Sequence, residues 1–385
     1  MASISFLRRY GFGAAIALTL VAFGGCASTA SAPANCAPAR LAYVGTDGGQ
    51  LQALRLDACA GKLASLGTVA ELAKPRWSVA HPALPILYVA DDVAGKDGSV
   101  VTFAVNRDTG ALTRLGETDA GGIGTTHLWL DAPSSTLIAA NFFSGSATTL
   151  PLDADGSVGA VASAVKETGS GPTRRQTKAH AHGVALDPTG HWALVSDLGA
   201  DRVFVYGFDR ATHVLTPDDA AHPRAFAVAP GSGPHHAVFS PDGRFVYVLD
   251  ELGADVQVLR WDARDARLAP VQSQAISSER YQGAKSGAEI MASRDGRFVY
   301  VGDRGESTLV VYRVDAATGE LALLQRVPSG GDKPWGFAID PSGRWMLVAN
   351  SAKVSLFGID AATGVLSDTG RSVDSATPLS IAFMP

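Results

Sequence analysis

One β-rich segment that closes on a small polar residue recurs seven times along the chain: LAYVGT to Thr46, ILYVAD to Asp91, LIAAN to Asn141, ALVSD to Asp197, FVYVLD to Asp250, FVYVGD to Asp303 and MLVAN to Asn350. Successive anchors lie roughly 45 to 56 residues apart, a period that belongs to stacked or radial repeats. Six of the seven runs follow a turn such as DPTG (Asp187 to Gly190), SPDG (Ser240 to Gly243) or DPSG (Asp340 to Gly343). In such turns Pro presets φ, while Gly or Asp tolerates the remaining geometry.

Each anchor is followed by a second alternating strand and another turn, clearest in FAVNRDTGAL (Phe103 to Leu112), YRVDAATGEL (Tyr312 to Leu321) and FGIDAATGVL (Phe357 to Leu366). A third strand precedes each turn, seen as WSVAH, LWLDA, GVALD, HAVFS, IMASR and GFAID, but no copy precedes LAYVGT. The missing copy stands at the other end, from Pro378 to Phe383. These strands predict an all-β, seven-bladed β-propeller whose first blade is completed by the C-terminal strand, a closure that leaves no open sheet edge. With 46% hydrophobic residues, 42 Gly and 20 Pro, the composition suits a turn-rich globular chain and excludes coiled-coil or disordered classes. A net charge of −5 argues against a nucleic-acid partner.

Residues 1–25 read as a signal peptide of the lipoprotein type, 26–40 as an Ala/Ser/Pro-rich linker, and 41–385 as the propeller. Arg8 and Arg9 precede an apolar run, Gly11 to Phe23, that is short for a bilayer span. Phe23-Gly24-Gly25-Cys26 looks like a lipobox with Cys26 as the acylated residue. Phe23 stands where Leu is usual, so simple cleavage after Ala30-Ser31-Ala32 is the alternative. Both routes predict a periplasmic or cell-envelope protein, with membrane contact only through a lipid at Cys26. Cys36 and Cys59 then remain, as a disulfide or as two free thiols, since their spacing fits neither a zinc motif nor a CxxC pair.

Departures from the internal repeat mark candidate chemistry. The position five residues before the turn reads Arg76, Thr126, His182, His235, Ala288, Trp335 and Leu379; the next reads Trp77, His127, Gly183, His236, Glu289, Gly336 and Ser380. Both positions sit where channel-lining strands begin, so His127, His182, His235, His236 and Glu289 are expected to converge at one end of the channel. The residue after each anchor varies likewise, and Glu251 and Arg304 fall in adjacent blades. The anchors themselves, such as Asp197 and Asp250, repeat too regularly for catalysis and are expected to cap turns.

Aligned in this way, the chain from Leu41 to Pro385 resembles the lactonase family that includes propeller-type bacterial 6-phosphogluconolactonase and fungal carboxymuconate-lactonising enzyme. The resemblance rests on YVGT (Tyr43 to Thr46), RQxxAHAH (Arg175 to His182), DLGxD (Asp197 to Asp201), GSGPxH (Gly231 to His236), Asp250-Glu251, SxDGRFxYV ending at Val301, and Asp303-Arg304. It implies a cofactor-free monomer acting on a small lactone, with His182 (or His180), Glu251 and Arg304 as the catalytic set. His127, His180, His235, His236, Glu289, Arg175 and Gln176 are the expected substrate-binding residues. Where the family commonly carries Arg in GPRH and in the last PRxF, this chain has His235 and Trp335, neither of which offers a bidentate clamp for phosphate.

Lactone hydrolysis needs a base for water, a donor for the oxyanion and an acid for the leaving alkoxide, roles that an imidazole, a carboxylate and a guanidinium can fill. HxH at His180 and His182 with His235, His236 and Glu289 also supplies metal-ligand chemistry, but no familiar metal motif appears and no metal is expected. A non-catalytic envelope propeller that binds a ligand or protein is the competing class.

Overall fold

The computed structural model describes residues 39–385 apart from positions 220 and 222. The leader, the linker up to residue 38, Cys26 and Cys36 lie outside the described residues. Among the described residues no helix is long and apolar enough to cross a membrane. The described residues form seven antiparallel sheets arranged as the blades of a propeller, with one 3-10 turn among them at Ala132–Ser134. Blades 2 to 7 each run outward from the channel in chain order, beginning with Pro75–Ala80, Thr125–Asp131, Ala181–Leu186, Pro234–Phe239, Gly287–Ala292 and Gly336–Ile339. Blade 4 gains a fifth strand, Ala225–Ala227, beside Arg202–Asp209.

Blade 1 is assembled from both ends of the sequence. Its inner strand, Pro378–Phe383, pairs antiparallel with Arg40–Thr46, with Ala42 opposite Phe383 and Val44 opposite Ile381. Met384 N–H donates to the Leu41 carbonyl at 2.9 Å and extends the ladder. The C-terminal closure predicted from the missing repeat is therefore present.

The second strand of every blade is buried along most of its length, as in Ile86–Asp91 and Phe298–Asp303. Both faces of that strand meet neighbouring blades, so its residues are near-continuously apolar, whereas the outermost strands, such as Lys62–Glu71, are largely exposed. Tyr43, Leu51 and Ala53 of blade 1 pack with Leu87, Val89 and Val101 of blade 2, and equivalent clusters fill the other interfaces. Polar contacts add direction: the Tyr43 hydroxyl donates to the Gly110 carbonyl and that of Tyr88 to Gly156, each reaching the outer turn of the next blade. Trp345 Nε1 does the same across the closure, donating to the Ala58 carbonyl.

The recurring turns behave as their sequence predicts. Asp187 Oδ1 accepts from His191 and Trp192 N–H, and Asp340 Oδ1 from Arg344 and Trp345 N–H. Gly190 and Gly343 take the left-handed φ, +74° and +72°, that these turns require. The anchors cap the opposite loops: Asp197 Oδ1 accepts from His180 and Ala200 N–H, and Asp303 Oδ1 from Glu306 N–H. Cys59, in the outer turn of blade 1, is disulfide-bonded.

Between blades 3 and 4 lies a buried acidic group. Glu167 accepts from the Tyr206 hydroxyl at 3.3 Å, while its second oxygen has no partner. Burial, reinforced by nearby Asp197, pushes the Glu167 carboxyl well above the usual range. The folded protein thus retains a proton that the unfolded chain has released. This contribution is complete below the unfolded carboxyl value, about 4.3, and disappears as pH rises through the raised folded value. Glu167→Gln is expected to match or trail wild type in thermal denaturation near pH 4 and to exceed it by at least about 2 °C near pH 9.

Candidate active site

In five of the inner strands the ladder slips by one residue near the strand entry: between Pro75 and Trp77, Thr125 and His127, Ala181 and Gly183, Pro234 and His236, and Gly287 and Ile290. A sixth slip, opposite Gly45 and Thr46, leaves Leu379 unpaired in the closing strand. Each is a β-bulge, and in five of the six the extra residue is the one at which the internal repeat breaks: Arg76, Thr126, His182, His235 and Leu379; in blade 6 Ala288 and Glu289 together fall outside the register. A bulge frees its residue from the alternation of the strand and re-aims the side chain. That is how side chains from separate blades come to share one pocket.

The pocket has a volume of about 440 Å³, and its wall includes Arg76, Thr126, Arg175, His182, His235, Glu251, Ser286, Arg304 and Trp335. A wider funnel of about 1290 Å³ opens at the other end of the channel and is lined mainly by apolar side chains such as Trp129, Val238, Met291 and Ile339. Trp77, His236 and Glu289 border both spaces and form the waist between them. The polar chemistry is concentrated in the smaller space, so that is the candidate site.

Glu251 is its centre. Its Oε1 accepts from Arg175 Nη1 at 2.6 Å and from Arg304 Nη2 at 2.8 Å. Its Oε2 faces His182 Nε2 at 3.9 Å and His235 Nε2 at 3.7 Å. The two imidazoles lie over one another with ring centroids 3.7 Å apart. Burial holds both well below the ordinary histidine range, and the neighbouring imidazoles and Arg304 push the same way, so both rings are neutral at physiological pH. Two neutral rings can stack closely where two imidazolium ions would repel. Burial likewise lowers Arg304, opposed by the adjacent Glu251 carboxylate. Arg304 Nε donates to Ser286 Oγ at 3.0 Å, and its guanidinium carbon sits 4.3 Å from the centre of the Trp335 ring.

At the waist, His236 Nδ1 donates to Glu289 Oε1 at 2.9 Å, and Ile290 N–H donates to the same oxygen. One ring nitrogen each from His182, His235 and His236 lies within 4.8 Å of the others. Neighbouring nitrogen ligands of tetrahedral zinc stand roughly 3.3 Å apart, so the rings as placed form a looser set than such a metal requires.

His182, Glu251 and Arg304 are brought together, with His235, Arg175, His236 and Glu289 around them. Three other expected residues stand back from the pocket wall. Gln176 is fully buried and consumed by the loop: Nε2 donates to the Leu198 carbonyl and to Asp201 Oδ1, while Oε1 accepts from Thr173 N–H. It shapes the cationic loop and does not line the pocket. His180 stacks on Phe142 at 4.4 Å with Nδ1 on the Phe142 carbonyl, because as a strand neighbour two before His182 it lacks the bulge that turns His182 inward. His127 follows the bulge residue Thr126 and so falls on the funnel side, its Nδ1 accepting from Val184 N–H at 3.3 Å.

Sequence reasoning placed Arg76 and Trp77 at the two varying positions without giving them a role. Arg76 donates from Nε and Nη2 to Asp92 Oδ2, and the Trp77 ring packs on His127 at 4.5 Å. Phe143, 47% exposed beside the pocket, carried no repeat signal at all.

Comparison with known proteins gives a consistent set of similarities. The family model described as lactonase, 7-bladed beta-propeller, matches residues 41–383. A 6-phosphogluconolactonase of Bacillus subtilis is 29% identical over 350 residues, which is 89% of this chain and 98% of the relative. Another from Sodalis glossinidius is 29% identical over 309 residues, covering 80% and 87%. The solved structure of a periplasmic gluconolactonase from Pseudomonas aeruginosa is 30% identical with a TM-score of 0.83, covering 90% of this chain and 99% of that one.

Proposed function

The chain belongs to the seven-bladed β-propeller lactonase family, and from that premise we propose that its polar pocket hydrolyses the internal ester of a sugar acid, with an unphosphorylated lactone as substrate. The observation that carries the reading is Glu251, a buried carboxylate flanked by two guanidinium groups on one oxygen and two neutral imidazoles on the other.

A neutral imidazole is a competent base without prior deprotonation. In this reading His182 takes the proton of a water molecule as the water oxygen attacks the lactone carbonyl carbon. The carbonyl becomes a tetrahedral oxyanion, which Arg304 stabilises through its charge and its uncommitted Nη1. The bond between the acyl carbon and ring oxygen then breaks, and the proton on His182 passes to the departing alkoxide, giving the open-chain hydroxy acid. Glu251 orients the histidine pair and offsets the positive charge that develops on it. Because His235 lies against His182 and equally near Glu251, the two rings serve as one unit.

Charge balance supports the unphosphorylated substrate. Three guanidiniums in the pocket wall meet two carboxylates: Arg76 has Asp92, and Arg175 and Arg304 share one oxygen of Glu251, so a single positive charge is left over, enough for one oxyanion. A phosphate monoester, with a charge of about −1.5 to −2, would have to displace one of the carboxylates. Trp335, 39% exposed beside the pocket, offers a flat apolar face in place of a further cation. The exported address read from the leader agrees with the periplasmic location named for the Pseudomonas relative, and is proposed here too.

Purified protein assayed against phosphorylated and plain aldonolactones, with spontaneous hydrolysis subtracted, tests the reading; hydrolysis of the plain lactones is expected. His235→Arg would put a guanidinium in the pocket wall and should raise the ratio of catalytic efficiency on a phosphorylated lactone to that on the plain one by about tenfold or more, the scale of one charge-assisted hydrogen bond of roughly 1.5–3 kcal/mol, even as it removes one ring of the pair. No gain in a folded variant would remove His235 from the substrate-charge assignment.

A further inference from the structure

Among the described residues, the best-formed carboxylate–imidazole pair is not the one at the centre of the pocket. His182 and His235 stand 3.9 and 3.7 Å from Glu251, beyond hydrogen-bond reach, whereas His236 Nδ1 is 2.9 Å from Glu289 Oε1. Both members of this second pair are buried at the waist of the channel, 6% and 4% exposed. The Ile290 N–H fixes the carboxylate from behind at 2.9 Å. Three ring nitrogens beside it are buried with no partner: His236 Nε2, His182 Nδ1 and His235 Nδ1.

We infer that Glu289 and His236 are positioning residues that select the tautomer of the histidine pair in the pocket. A carboxylate only accepts, so Glu289 fixes the proton of His236 on Nδ1 and leaves a lone pair on Nε2. That lone pair is buried among the rings of His235, His127 and His182, whose centroids lie 4.2, 4.7 and 5.5 Å away, and His235 is the nearest of them to offer a proton. A neighbour that turns an Nδ1 proton toward it keeps its own Nε2 unprotonated. Nε2 is the nitrogen that faces Glu251; Glu251 Oε2 can hold the Nε2 proton of one of the two rings, while the ring turned toward His236 keeps the unprotonated Nε2 that a base requires. The separations here exceed a hydrogen bond, and such contacts commonly shorten when substrate closes the site. The arrangement follows the general logic in which a base is oriented by a third group.

The kinetic arm of the test rests on the lactonase reading; the spectroscopic arm does not. In protein carrying ¹⁵N-histidine, the resonances of His182 and His235 should show at least one ring in the Nδ1–H form. Glu289→Ala and His236→Phe should each redistribute that ring toward Nε2–H. On a plain aldonolactone both variants should lose about 10- to 100-fold in kcat, the range seen when an outer orienting partner is removed, with KM within about twofold. Glu289→Gln, whose amide oxygen can still accept from Nδ1, should keep more activity than Glu289→Ala. If the ¹⁵N pattern of both pocket histidines is the same in wild type and in folded Glu289→Ala and His236→Phe, the inference is overturned, whatever the rates. A shifted ¹⁵N pattern in a protein that hydrolyses no lactone would instead uphold the relay and defeat the lactonase reading.

Discussion

Replacing Glu251 by Gln is expected to lower lactone turnover by about 10² to 10⁴, the loss typical when a charged group acting on the transition state is removed. The substitution keeps the shape of the side chain and deletes its charge. Arg175 and Arg304 would then face each other across a neutral amide, and nothing would offset charge developing on His182 and His235. Arg304→Lys should fall in a similar range, since an ammonium cannot reach Ser286, Glu251 and substrate together as the guanidinium can.

His182→Ala alone should cost less than expected for a sole base, because His235 lies against it in an equivalent relation to Glu251. The double replacement of His182 and His235 should reach the full loss. Combining either with Glu251→Gln should add far less than the product of the separate effects, because the groups act as a unit. Asp250 is the control: burial already pushes its carboxyl well up, so Asp250→Asn should alter stability more than chemistry. Steady-state kinetics on a plain aldonolactone read all of these. If the Glu251, Arg304 and paired-histidine variants all retain wild-type turnover, or wild type hydrolyses no lactone, the reading gives way to a ligand- or protein-binding envelope propeller.

Deleting Thr377 to Pro385 is expected to abolish cooperative folding, not merely to lower Tm. The deletion removes the inner strand of blade 1 and bares the backbone groups of Arg40–Thr46, which pair with it from Ala42 to Thr46. It also removes buried Ala382 and Met384 from the cluster that joins blades 1 and 2. Each unpaired backbone group costs about 1–3 kcal/mol when buried, and a handful of them exceeds the stability of about 5–15 kcal/mol that a typical domain possesses. Circular dichroism and thermal denaturation of the truncated protein check this directly. A sharp unfolding transition at the wild-type temperature would mean that the ring does not depend on its closing strand.

The fold was legible because its information is repeated. Apolar second strands, Asp- and Gly-bearing turns and polar anchors each recur, so any one ambiguous copy is settled by the others, and the absent inner strand before LAYVGT pointed to its replacement at Pro378. The site was legible only where it breaks that pattern. His182, His235, Glu251 and Arg304 stood out as departures and do converge. Gln176 and His180 stand off the pocket wall because the members of their shared motif have different surroundings: His182 is the bulge residue, His180 packs on Phe142, and Gln176 holds the loop. Periodicity does not say where a bulge falls, and a shift of one residue turns a side chain to the other face. His127, one step past its bulge, packs against Trp77 and His236 at the waist and stands back from the pocket wall.

The bulges have a further consequence for how such a molecule can change. A bulge residue is left out of the ladder, so exchanging its side chain alters the pocket while the pairs on either side stay in register. Arg76, Thr126, His182, His235 and Leu379 occupy such places, and Trp335 precedes the corresponding strand of blade 7. The scaffold therefore presents its chemistry as a ring of interchangeable inserts. Substrate preference can drift one insert at a time, each step tolerated by a framework whose strength is vested elsewhere, in the packing between blades.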